Sequence, residues 1–96
     1  MLTLEQLRAR RDELIALADR YKAENVRVFG SLARGEAGPG SDVDFLVHFR
    51  RGASLFDLMD FQEEAQALLG EKVDVVSDRG LSPYLETRIL REARPL

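Results

Sequence analysis

Three short runs rich in β-branched residues limit what this chain can become: Val26-Arg27-Val28-Phe29, Val43 to Phe49, and Val73-Asp74-Val75-Val76. Each is too short for a helix and is bounded by turn-forming residues, so each reads as a strand. Asn25 and Gly30 flank the first, Gly35, Gly38, Pro39 and Gly40 form the loop before the second, and Arg50-Arg51-Gly52 closes it. One helical stretch separates the second strand from the third. That is enough chain for a crossover that lays the third strand beside the second.

The remaining stretches carry helical spacing. Thr3 followed by Gln6 fits a capping box, and Leu4, Leu7, Leu14, Leu17, Ala18 and Tyr21 then recur on one face of a first helix expected to end near Ala23. Ser54, with Asp57 three residues on, opens a helix striped by Leu58, Phe61, Ala65, Leu68 and Leu69 and closed by Gly70. Ser82-Pro83 supplies an N-cap and first-turn pair for a last helix running to about Ala93. The order is helix, strand, loop, strand, helix, strand, helix. It predicts an α+β fold, a small mixed β-sheet with packed helices, in a single domain over residues 1–96.

Composition narrows the chemistry. The 96 residues are 45% hydrophobic and 32% charged, an ordinary globular balance. With no cysteine, disulfides, thiolate zinc sites and cysteine nucleophiles are excluded, and a single histidine leaves carboxylates as the main metal ligands, which favours a hard cation such as Mg²⁺. A net charge of −3 disfavours a free-standing binder of long nucleic acid. No apolar run approaches the roughly 20 residues needed to span a bilayer. Glu5, Arg8, Arg10, Arg11, Asp12 and Glu13 interrupt any signal-peptide core, so a cytoplasmic protein is expected, without membrane contact.

Residues two apart on a strand share a face, so Asp42 and Asp44 present two carboxylates side by side. Adjacent anions repel unless a cation or a proton is shared. Asp74 lies in the middle of the third apolar run, where a buried unpaired charge would be expensive, and the crossover would bring it to the other two. Upstream, Gly30-Ser31 opens a short helical turn through Arg34. Glycine permits close backbone approach, first-turn amides suit phosphate, and the Ser31 hydroxyl and the Arg34 charge can add to them. Phosphate donors beside a dicarboxylate metal site fit phosphoryl or nucleotidyl transfer.

Gly30-Ser31-Leu32-Ala33-Arg34-Gly35 followed by Ser41-Asp42-Val43-Asp44 resembles the signature of the polymerase-β-like nucleotidyltransferase superfamily, and specifically of its minimal (MNT, MntA-type antitoxin) members. The likeness extends through the Ser54 helix start, the Lys72 to Val76 strand and the Leu81-Ser82-Pro83-Tyr84 turn. It implies the polymerase-β-like fold and a protein adenylyltransferase-like enzyme that moves a nucleoside monophosphate, AMP from ATP or another NTP, to a macromolecular hydroxyl. It further implies that Gly30, Ser31, Arg34 and Ser41 bind nucleotide, that Asp42 and Asp44 ligate one or two Mg²⁺ ions, and that Asp74 is a third ligand or the catalytic base. A HEPN-domain toxin is the implied partner. The second domain that larger relatives use to hold an acceptor is not expected here, which leaves the acceptor open.

Simpler readings stand beside these. Ser41-Asp42 after Gly-Pro-Gly can be a turn entering a strand, and Arg34 serves equally well in a surface salt bridge. His48 suits a packed strand position, Phe56, Met59 and Phe61 suit core or helix packing, and Asp78 has no evident partner. Arg8, Arg10 and Arg11, like Asp57, Asp60, Glu63 and Glu64, suit solvated helix faces. A non-catalytic antitoxin that masks its HEPN-type partner is the competing function. The small sheet and long amphipathic helix are also compatible with a homodimer.

Overall fold

The structure, a computed structural model, describes residues 2–96. The amino-terminal helical region is two helices, α1 (Leu4–Ala9) and α2 (Arg11–Arg20). The capping box forms: the Thr3 amide donates to Gln6 Oε1 at 2.9 Å and the Gln6 amide to Thr3 Oγ1 at 3.1 Å. The expectation of one helix to Ala23 fails at Arg10, which leaves helical geometry at φ −106° and ψ 18°. Its Nη1 donates to the Leu68 carbonyl at 2.7 Å, a tertiary bond that holds the break in place. Lys22, at φ 61°, then turns the chain, and Ala23 is already strand.

The strands are β1 (Ala23–Phe29), β2 (Val43–Phe49) and β3 (Val73–Ser77), with the five-residue helix α3 (Gly30–Arg34) after β1 and α4 (Leu55–Leu69) between β2 and β3. The last helix, α5 (Pro83–Glu92), leads into a fourth strand, β4 (Arg94–Pro95), where the sequence predicted only three. β4 is two residues with no β-branched side chain; its pairing to Arg27 and Val28 is imposed by where α5 ends. β1 starts earlier than its apolar run because Asn25, at φ 50°, forms a bulge between Glu24 and Arg27 that lets a polar segment pair.

The sheet order is β3-β2-β1-β4, with β2 and β3 parallel and the other pairs antiparallel. One face carries the core. Val28 faces Phe45, Ala23 faces Phe49, and Val43 pairs with Val73. Leu7, Leu14 and Ala18 cover them from α1 and α2, Phe61 and Ala65 from α4, all buried. The rings of Phe45 and Phe61 lie 6.3 Å apart. Alternation along the strands sends Phe29, Asp44 and Asp74 to the opposite face.

β3 is an edge strand, and α4 covers its outward amides. Gln66 Oε1 accepts from the Val73 amide at 3.1 Å and Gln62 Oε1 from the Val75 amide at 2.9 Å. Four residues apart on α4, the two glutamines share a helix face, and they fix β3 from outside while β2 fixes it from inside. No helix among the described residues is long and apolar enough to cross a membrane.

Candidate active site

Asp44 stands at the centre of the open face, opposite Phe29 on β1 and in register with Asp74 on β3. It is half-buried, and its carboxyl is pushed up to about 6. The largest cause is burial; the charges of Asp74 and Asp42 add to it, and Arg34 works against them. Asp44 is therefore the carboxylate that carries the electrostatic cost. The expectation that Asp74 is a buried charge is corrected: Val73 and Val75 turn into the core, while Asp74, on the alternate face, is exposed. Asp42 precedes β2 by one residue and reaches Lys72 Nζ at 3.7 Å.

Gly30 begins α3 directly above Asp44. Its φ is +77°, and a Cβ built there would overlap Asp44 Oδ2, with Asp44 Cγ at 3.2 Å and Cβ at 3.4 Å. Only glycine permits both the backbone angle and the carboxylate. Ser31 follows, half-buried in the first turn of α3, and the helix closes at Gly35 with φ +74°. Phe29 occupies the N-cap and supplies no side-chain cap to the first-turn amides.

The other expected site residues are engaged by the protein itself. The Ser41 hydroxyl accepts the Gly38 amide at 3.0 Å and the Ser41 amide donates to the Gly38 carbonyl at 3.0 Å, so Ser41 ties the loop turn that delivers Asp42. Arg34 Nε pairs with Glu36 Oε2 at 3.0 Å and Nη1 with Glu92 Oε2 at 3.1 Å. Arg34 is thus in the salt bridges of the simpler reading, and its charge is felt at Asp44. A cavity of about 190 Å³ that Asp42 borders is lined by the Ala37–Ser41 loop and not by Ser31, Asp44 or Asp74. The carboxylate site is an open shelf on the sheet.

Oxygen ligands from three carboxylates suit a hard cation, and the charges of Asp74 and Asp42 add to burial in raising the Asp44 carboxyl. Among the described residues no three His, Cys, Asp or Glu are gathered closely enough to hold a metal. Asp42 in particular is drawn to Lys72. Farther along the same face, Asp78 has two partners: His48 Nδ1 at 3.0 Å and, more loosely, Arg27 at 3.9 Å. Sequence reasoning missed Lys72 and Glu92. Lys72 directly precedes the third strand and carried a local signal; Glu92 lies 58 residues from its partner and carried none.

A family model described as a nucleotidyltransferase domain matches residues 13–96. The protein adenylyltransferase MntA of Thermococcus cleftensis is 41% identical over 96 residues, covering 96% of this chain and 94% of that one. A solved structure provisionally named a minimal nucleotidyltransferase superposes with a TM-score of 0.88 at 50% identity, over 99% of this chain and 97% of the other. A chain of the solved complex of a tri-AMPylated Shewanella oneidensis HEPN toxin with its MNT antitoxin superposes with a TM-score of 0.69. At 18% identity, over 92% of this chain and 69% of that one, that match speaks for the fold alone.

Proposed function

As a member of the nucleotidyltransferase family, of the minimal MNT type with its polymerase-β-like fold, this chain is a nucleotidyltransferase, and we propose that it transfers AMP from ATP to a hydroxyl of a HEPN-type protein, for which it is the antitoxin. The supporting observation is Asp44: it is half-buried, flanked by Asp42 and Asp74, and overhung by Gly30 at the start of α3. Such a site favours a bound cation and a phosphate chain together. In this reading Asp42 and Asp44 would hold Mg²⁺, one ion or two, Gly30 and Ser31 would receive the triphosphate, and Asp74 serves as the base. Bound there, the metal would supply positive charge for the phosphates.

The acceptor oxygen attacks the α-phosphorus, the bond to pyrophosphate breaks, and the hydroxyl proton passes to Asp74. Asp74 suits that role because it is exposed at the edge of the shelf while in register with Asp44. Ser41 contributes indirectly, by fixing the turn that presents Asp42.

The test is label transfer from α-labelled ATP to the co-expressed HEPN-type neighbour. Asp42→Asn combined with Asp44→Asn abolishes transfer in this reading, and undiminished transfer would sink it. Toxin neutralisation measured on the same variant separates catalysis from masking. Full neutralisation without transfer would make the chain a masking module.

A further inference from the structure

We propose that Glu92 is a positioning residue for the triphosphate: from α5 it fixes the Arg34 guanidinium at the rim of the carboxylate shelf. The inference rests on the nucleotide-binding reading above and assigns a role to a residue outside the signature segment.

Four observations carry it. Arg34 uses Nε on Glu36 and Nη1 on Glu92, at 3.0 and 3.1 Å, which leaves Nη2 as the nitrogen without a carboxylate. Glu92 is itself braced by Arg88 one turn earlier, at 3.2 Å, and its side chain is only 19% exposed, against 65% for Glu36. An exposed ion pair fixes little, whereas a shielded carboxylate held between two guanidiniums fixes geometry. α3 has five residues, too few to hold an orientation unaided, and Glu92 ties it to α5. The charges of Arg34, Arg88, Glu36 and Glu92 cancel, so the cluster holds Arg34 without adding net negative charge beside the phosphate site. Arg34 ends the five-residue α3 whose first residue, Gly30, lies against Asp44, which keeps the guanidinium close to that site.

The experiment is calorimetric titration of the full chain with ATP in the presence of Mg²⁺, with a thermal melt of each variant. The inference expects Glu92→Ala to weaken ATP binding about three- to tenfold. Glu92→Gln, which keeps one acceptor oxygen, falls between Glu92→Ala and the native chain. In an Arg34→Gln background, Glu92→Ala adds no further loss, because the guanidinium it positions is gone. Native affinity in Glu92→Ala, or an undiminished loss in the Arg34→Gln background, overturns the inference. Should Glu92→Ala fail to fold, the same two comparisons are made with Glu92→Gln and decide it. A native chain that does not bind ATP overturns the nucleotide-binding reading itself, an outcome distinct from native binding that is insensitive to position 92.

Discussion

Gly30→Ala separates the backbone of the site from its chemistry. At φ +77° a non-glycine residue pays roughly 1–2 kcal/mol for left-handed geometry. A methyl at this position also overlaps Asp44 Oδ2. The carboxylate, or α3 with Ser31, must shift by about an ångström, and a misplacement of that size costs on the order of 100-fold in rate. Gly70→Ala is the control. Its φ is +66°, it caps α4, and a Cβ there meets nothing within 4 Å. Both variants should lose the roughly 1–2 kcal/mol of the backbone angle, or roughly 4–16 °C in melting temperature, and Gly30→Ala loses more through its overlap with Asp44. Only Gly30→Ala should lose label transfer, by about two orders of magnitude. Equal transfer rates in the two variants would refute the argument that glycine is there for Asp44.

Two further outcomes follow from the same geometry. Because the Asp44 carboxyl is raised to about 6, the folded state holds a proton more tightly than the unfolded chain. Its contribution to the stability of the metal-free chain is therefore present at low pH and lost as pH rises through about 6. Asp44→Asn should accordingly melt higher than the native chain at pH 8 without metal and show no transfer; a lower melting temperature would contradict the assignment of strain to Asp44. Replacing Gln62 by Ala should cost about 1 kcal/mol and speed hydrogen exchange at the Val75 amide, with Gln66→Ala doing the same at Val73. Unchanged exchange at both amides would show that α4 does not secure β3.

Local signals carried most of the architecture. The Thr3–Gln6 box, the Ser54–Asp57 start, where Asp57 Oδ2 accepts the Ser54 amide at 2.8 Å, and the Gly70 stop all formed where short-range chemistry placed them. The carboxylates were legible because strand parity is a two-residue rule: once β2 and β3 pair in register, Asp44 and Asp74 meet. What escaped is set by distant partners. The helix break at Arg10 depends on the Leu68 carbonyl, and β4 exists because α5 ends beside β1. The burial of Asp44 rather than Asp74 depends on what covers each face, which an apolar run of letters does not encode. Arg34 was ambiguous for the same reason, since Glu92 comes from the far end of the chain.

The glutamine pair on α4 has a consequence for assembly. An edge strand with free amides is a template on which another chain can add a strand. Here the outward amides of β3 at Val73 and Val75 are taken by side chains of the same molecule, and at the other edge β4 offers two residues, one of them a proline. The sheet is thus terminated on one side by amide side chains and on the other by a stub. Along Val73 and Val75 another copy of this chain finds no free amide on which to add a strand. Recognition is left to side chains, on the helices and on the acidic shelf, where charge and shape can tell partners apart.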